Sequence, residues 1–277
     1  MNRMSRMKNE IGIGGMKASE VSRFVKDNFR QLLVDKDYWM DVLGSDSRSS
    51  VRELCSFIMR EEEKMKAETA RVRGMYAFDA GFGNLVAGVD EVGRGPLAGP
   101  IVGAAVVLRT DSPDSSLILE INDSKKLSRK KREELFEKIK EQAEAFAIYE
   151  MSNLDIDRIG ISYCNHEVFR GSLRQIDMKV DMVLSDGYPI KDFRGRNTAV
   201  IKGDTKSAAI ACASIIAKVH RDRIMENMNL YYPEYGFDSN VGYGSQVHID
   251  ALKRLGPCPI HRMSFLTGIL AKSDTNE

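Results

Sequence analysis

Three apolar runs in this chain end on acids: Val89-Asp90-Glu91, Leu184-Ser185-Asp186 and Ile201-Lys202-Gly203-Asp204. Such runs read as short buried strands. A carboxylate just past a buried strand stands at the sheet edge, where α/β proteins commonly form ligand crevices. Taken singly, each acid has an ordinary alternative reading as the cap of a following helix or turn. Taken together, carboxylates gathered in one place repel one another unless a cation sits among them. Oxygen ligands, with only four histidines in the chain, suit Mg²⁺ or Mn²⁺ and not zinc or copper. Two such ions, roughly 3.5–4 Å apart, can hold the attacking water and the leaving oxygen of a phosphodiester.

Asp90 and Glu91 pose a geometric problem. Neighbours on a regular strand point to opposite faces, so for both to serve one site the strand is expected to end or bulge there. Gly93-Arg94-Gly95-Pro96 follows at once and supplies backbone freedom for that departure. Its glycines let backbone N–H groups approach a ligand, and Arg94 adds a planar charged donor. Neither GxxxxGK[ST] nor GxGxxG is present, so this is not a phosphate loop of the usual kinds. Two basic sets flank the acids in sequence: Lys125, Lys126, Arg129, Lys130, Lys131 and Arg132, then Lys191, Arg194, Arg196, Lys202 and Lys206. They read as solvated faces or as a surface for a phosphate backbone.

These residues need elements to carry them. Leu85 to Val92 and Ile101 to Leu108 read as strands around the Gly93–Gly99 turn. A helix follows with Leu135, Phe136, Ile139, Ala143 and Phe146 on one face and Ser128 as its cap. A short strand near Ala147 to Met151 and a helical stretch from Asp157 to Ile176 come next. Met182 to Leu184 and Thr198 to Lys202 are further strands, and Ser207 to Leu230 is a long helix whose first half is rich in Ala and Ser. Small side chains there let a helix approach a sheet closely. Glycines and prolines break up the rest. Strands alternating with helices make an α/β class with both sheet faces covered.

Residues 1–80 read differently. Val21, Phe24, Val25, Phe29, Leu32 and Leu33 recur at helical spacing behind Ser19, a candidate cap. A second run goes through Val51, Leu54, Cys55, Ile58, Met59 and Met65, so two helices forming a hairpin are expected. Ala80 to Asn84 marks the boundary, giving a helical N-terminal extension (1–80) and a second domain (81–277). The chain has 277 residues and 43% hydrophobic content, enough to bury a sizeable core. Its apolar runs are too short to span a bilayer, and the first residues form no export signal, so a cytoplasmic protein is expected. Cys55, Cys164, Cys212 and Cys258 form no CxxC pair and read as reduced thiols.

The string Ala87-Gly-Val-Asp-Glu-Val-Gly-Arg-Gly-Pro-Leu-Ala-Gly-Pro100 resembles the signature of type 2 ribonuclease H, or ribonuclease HII. The likeness continues in order through Asn122-Asp-Ser-Lys-Lys-Leu-Ser128, Ser185-Asp-Gly187 and Val200-Ile-Lys-Gly-Asp204. It resumes with Ala213-Ser-Ile-Ile-Ala-Lys-Val-His-Arg-Asp-Arg223, Tyr232-Pro-Glu-Tyr-Gly-Phe237, Gly242-Tyr-Gly244 with His248, and His261-Arg-Met-Ser-Phe265. It covers residues 85–265. The resemblance implies a ribonuclease H-like mixed sheet flanked by helices, with a helical C-terminal part, and a four-acid catalytic and metal-binding centre at Asp90, Glu91, Asp186 and Asp204. It implies Mg²⁺- or Mn²⁺-dependent cutting on the 5′ side of a ribonucleotide, in RNA/DNA hybrids and at single ribonucleotides in duplex DNA, as in ribonucleotide excision repair.

By the same resemblance Gly93, Arg94 and Gly95 sense the 2′-hydroxyl, which distinguishes RNA from DNA at a site, together with Tyr243. Lys125 and Lys126 hold backbone phosphates. Lys218, Arg221 and Arg262 are candidates for phosphate contact or for pairing with acids, and His220, His248 and His261 for catalysis, packing or phosphate contact. Tyr188 and Pro189 depart from the family pattern, which puts the local loop in question but no ligand. The first 80 residues resemble the helical extensions of some bacterial members, where a tether, a substrate clamp or a contact to a replication or repair partner all fit; a monomer is expected. Two other readings stay open: type 3 ribonuclease H, acting on longer RNA tracts, and a nucleic-acid-binding module without catalysis. The Gly93-Arg94-Gly95 turn speaks against the former and the complete acid set against the latter.

Overall fold

The computed structural model describes residues 13–270, and the chain divides into two compact units between Ala70 and Arg71. The export-signal reading falls mainly on residues 1–12, outside the described residues. Among the described residues no helix is long and apolar enough to cross a membrane, and the four cysteines carry free thiols.

In the first unit, α1 (Ala18–Asp27), α2 (Phe29–Leu32), α3 (Lys36–Gly44) and the start of α4 (Ser49–Ala80) close on Val21, Val25, Leu32, Trp39, Leu43, Val51, Leu54 and Ile58. The structure has more helices here than the hairpin expected, because Trp39 and Leu43 add the apolar face of α3. Ser19 is not a cap. The helix starts at Ala18, and the Glu20 carboxylate accepts from the Lys17 backbone N–H at 2.7 Å, so the acid three residues in does the capping. The division at Ala70 lies ahead of the glycine turn at Gly81, because Val72, Met75 and Tyr76 of α4 pack into the core of the sheet unit.

The second unit is built on a five-stranded mixed sheet, ordered β3-β2-β1-β4-β5. The strands are β1 (Leu85–Val92), β2 (Ile101–Arg109), β3 (Ala145–Met151), β4 (Met182–Asp186) and β5 (Asn197–Val200). β2 pairs antiparallel with both β1 and β3, while β1–β4 and β4–β5 are parallel. Strand alternation sorts the side chains into two cores. Val86, Val102, Ala104, Val106 and Leu108 pack with α5 (Arg129–Gln142) and α8 (Ala208–Tyr231). Ala87, Val89, Ile101, Ala105 and Val107 pack with α6 (Asn153–Ile159) and α7 (Ile161–Arg174). The helical C-terminal part comprises α9 (Phe237–Asn240), α10 (Gln246–Leu255) and α11 (Met263–Leu270).

Ser128 and Ser207 cap α5 and α8 by accepting from Lys131 N and Ile210 N, each at 3.2 Å. Helix α5 ends at Gln142, so Phe146 belongs to β3, not to the helix. The single helical stretch expected after β3 is two helices, divided at Gly160, whose φ of 84° favours glycine.

The closest meeting in this unit is α8 on β1. A Cβ at Gly88 would stand 2.1 Å from the Ala209 carbonyl carbon and 2.2 Å from Ile210 N. The helix start is held there by Asp79, a fully buried acid whose Oδ2 accepts from Ala209 N at 2.9 Å at the positive end of the helix dipole.

Gly88→Ala is expected to cost at least about 3 kcal/mol in urea unfolding, because backbone on both sides leaves no side chain to yield. Burial pushes the Asp79 carboxyl up to about 6, against hydrogen bonds from Ser207 and from the Ala209 and Ala208 amides. The folded state therefore holds this proton more tightly than the unfolded chain, and stability from this site falls as pH rises from about 4 to 6. The stability difference between Asp79→Asn and the parent should accordingly shift in favour of the variant by about 2 kcal/mol between pH 4 and 7. A difference independent of pH would show that Asp79 does not titrate in that range.

Candidate active site

Strand β1 does not break at Asp90. It continues through Glu91 to Val92 in unbroken register with β2, Asp90 opposite Ala104 and Glu91 opposite Gly103. What stops is the other edge, where β1 last pairs with β4 at Val89 opposite Ser185. The expected bulge is absent, and the two acids keep to opposite faces. Asp90 accepts from the Ser214 hydroxyl on α8, and Glu91 accepts from the Tyr188 hydroxyl. Both line one pocket because it opens past the last β1–β4 pair, where the strand edge is uncovered.

That pocket, of ≈ 350 Å³, is also lined by Asp186, Asp204, Lys125, Lys218 and Tyr243. Asp186 closes β4, and its Oδ1 accepts from Gly203 N at 2.7 Å. This bond draws in the Gly203–Thr205 turn that carries Asp204. Lys126 and the Gly93–Gly95 turn stand beside the pocket without lining it. A Cβ at Gly95 would meet the Tyr243 ring at 3.9 Å, and Arg94 Nη1 lies 3.8 Å from Glu91 Oε1.

The electrostatics are those of an overcrowded anion site. Burial, then the Glu91 charge, holds the Asp90 carboxyl well above its ordinary value. Burial also raises Glu91, with Asp186 adding to it and Arg94 and the Tyr188 hydroxyl opposing. Asp204 is raised by burial, then by Asp186 and Asp123, against Lys125 and Lys126. Among the described residues no three His, Cys, Asp or Glu side chains are drawn close enough to grip an ion as they are.

Arg221 and Arg262 are fully buried, so neither can touch a phosphate, and neither pairs with an acid. Their guanidiniums are given over to backbone carbonyls. Arg221 donates to Ala98, Pro100 and Val241, and Arg262 donates to Gly93, Arg94, Gly99 and Pro100. Burial lowers the two to about 10 and about 9, so both stay charged at neutral pH. The Gly93–Pro100 loop is thus fastened from behind by its carbonyls. Gly93, at φ 92°, lies so close that a Cβ would stand 2.3 Å from Arg221 Nε.

Tyr243 is held by a histidine pair. His248 Nδ1 lies 2.9 Å from the Tyr243 carbonyl, His248 Nε2 lies 2.8 Å from His261 Nε2, and Cys258 N lies 2.9 Å from His261 Nδ1. Burial lowers both imidazoles, His261 to about 4, so both are neutral. The carbonyl can only accept, so His248 carries its proton on Nδ1 and accepts at Nε2. His261 must then donate from Nε2 and accept from Cys258 N–H, its Nδ1 making no bond to the Cys258 carbonyl 3.2 Å away. Only one tautomer of each ring satisfies this chain. His220 lies outside the pocket, 3.7 Å from Glu150, and Lys218 pairs with Asp222 at 2.8 Å.

Sequence reasoning missed Tyr188 and Ser214 as hydrogen-bond donors to Glu91 and Asp90. It left the two arginines and the histidine pair among several roles. The spacing of Ser214, Lys218 and Arg221 along one helix was a readable sign that a polar stripe of α8 faces the site.

Comparison with known proteins agrees with this architecture. A family model described as Ribonuclease HII matches residues 87–268. Ribonuclease HII of Clostridium perfringens strain 13 is 53% identical over 257 residues, 92% of this chain and 92% of that protein. The crystal structure of ribonuclease H2 from Pyrococcus horikoshii OT3 superposes with a TM-score of 0.60 at 27% identity, over 69% of this chain and 100% of that one. The structure of the PCNA:RNase HII complex from Archaeoglobus fulgidus contains a chain that matches with a TM-score of 0.54 at 26% identity, over 66% of this chain and 96% of that one. With the family model spanning the sheet unit and a relative this similar over nearly its whole length, the chain belongs to the ribonuclease HII family and is a ribonuclease H.

Proposed function

We propose that this ribonuclease H cuts on the 5′ side of a ribonucleotide in RNA/DNA hybrids, at RNA–DNA junctions and at single ribonucleotides embedded in duplex DNA, with two divalent cations held by Asp90, Glu91, Asp186 and Asp204. The observation that carries the reading is one pocket lined by all four acids beside a loop and a tyrosine able to meet a sugar. The donor set fits hard cations: it offers carboxylate oxygens alone, and three of the four have pKa values raised by burial and neighbouring charge, a repulsion that bound Mg²⁺ or Mn²⁺ relieves.

Bound divalent cations supply Lewis acidity at the phosphodiester and a water that ionises near neutral pH. The chain does the rest. Ser214 and Tyr188 orient the Asp90 and Glu91 carboxylates, and the Gly203 amide orients Asp186. Lys125 and Lys126 add positive charge beside Asp204 and hold backbone phosphates. The Gly93–Gly95 turn, with the Gly93 and Arg94 carbonyls captured by Arg262, presents its N–H groups and Arg94 to the 2′-hydroxyl, while the Tyr243 ring packs against the sugar at the junction. The protein works in the cytoplasm as a monomer in ribonucleotide excision repair, and a replication or repair partner fits this role; the Archaeoglobus ribonuclease HII is seen in complex with PCNA.

A duplex carrying one ribonucleotide should be nicked when Mg²⁺ or Mn²⁺ is added. Asp90→Asn should lower the rate at least about a hundredfold while duplex affinity in binding titrations stays near that of the parent. Cutting at the parental rate would remove Asp90 from the ligand set. Arg94→Ala should lower the preference for a ribonucleotide over a deoxynucleotide at the cleavage position. An unchanged preference in competition assays would take Arg94 out of the sensor.

A further inference from the structure

Behind Tyr188 lies a second pocket, ≈ 280 Å³, walled by Arg94, Ser162, Asn165, His166, Pro189 and Lys191 as well as the tyrosine. Its polarity is the reverse of the acidic pocket. No carboxylate is among its lining residues; of the acids beside it, Glu91 bonds Tyr188 from the far side, Glu167 pairs with Arg170 and Arg174, and Asp192 lies 3.9 Å from Arg170. Burial, then Lys191, Arg170 and Arg94, lowers the His166 pKa, with only Asp192 opposing. His166 Nδ1 on this wall is buried with no hydrogen-bond partner among the described residues, a state that buried polar groups rarely keep without a ligand or water, and in its Nδ1–H tautomer the ring donates to an anion.

The two pockets share a partition. The Tyr188 hydroxyl donates to Glu91 on the acidic side, and the Asn165 amide donates to the same hydroxyl from the basic side. The Arg94 guanidinium lies 5.6 Å from the centre of the Tyr188 ring and 3.8 Å from Glu91. A strand with its scissile phosphate among the acids must run on past this partition, and a neighbouring phosphate then meets Arg94, His166 and Lys191. We propose that this pocket is a subsite for a backbone phosphate of the cut strand, next to the scissile one, with Lys191 as its principal contact. The proposal rests on the nuclease reading above. It adds Ser162, His166 and Lys191 of α7 and the β4–β5 connection to the substrate surface.

The test is binding of ribonucleotide-containing duplexes without divalent metal, so that the strand stays intact, with single phosphates replaced in turn by uncharged methylphosphonates. One linkage near, but not at, the scissile position should cost the parent about tenfold in affinity. Lys191→Gln, an exposed position, should cost a similar factor, lower the salt slope by about one contact, and show no further loss on the duplex neutralised at that linkage. Lys191→Arg should restore the coupling. Losses that add equally at every linkage, or no loss at all, would overturn the proposal. So would a His166 NMR shift with inorganic phosphate alone and no linkage-specific coupling, which would assign the pocket to a free anion. Coupled binding with no cutting after Mn²⁺ is added would instead refute the nuclease reading and leave the subsite standing.

Discussion

At Gly88 the backbone of β1 meets the backbone of α8 with nothing between them, and the geometry of the site follows from that contact. Once α8 lies directly on the strand, its successive turns are carried along β1 toward the strand's carboxyl end. Ser214 arrives at Asp90, Lys218 at the pocket wall, and Arg221 at the loop that leaves the strand. A side chain at Gly88 would lift the helix and loosen all three contacts together. The buried carboxylate of Asp79 fixes the helix start, so the separation is pinned at the N-terminal end as well.

The second organising feature is an unusual use of buried charge. Among the described residues Arg221 and Arg262 pair with no carboxylate, and their desolvation is offset by carbonyls of the Gly93–Pro100 loop and of Val241. Charged donors hold carbonyls more strongly than neutral ones do. The loop is therefore stiff. Tyr243, whose ring stands beside Gly95, is fastened in addition by neutral hydrogen bonds through His248 and His261.

Much of this was legible beforehand. The strands and helices of the sheet unit followed from apolar periodicity and from caps such as Ser128 and Ser207, where local side chains satisfy local backbone groups. The three acid-ending runs pointed to strand ends, which is where Asp90, Glu91 and Asp186 lie. Boundaries were less legible. The Ala80 border and the Phe146 assignment failed because a helix extends, or stops, according to what its face packs against, and Tyr76 and Phe146 pack on the sheet unit's core.

The sequence by itself singled out the residues that the fold gathers at one pocket, because carboxylates after buried strands, a glycine-flanked arginine and a long small-residue helix are local patterns. The tertiary structure alone decided how Asp90 and Glu91 share a site. Local reasoning demanded a broken strand, since neighbours on a strand face opposite ways. The fold solves it by ending the β4 pairing at Val89, so that one pocket wraps the exposed edge and receives a carboxylate from each face. Which strand stops beside another is a matter of long-range pairing, and no residue near Asp90 encodes it.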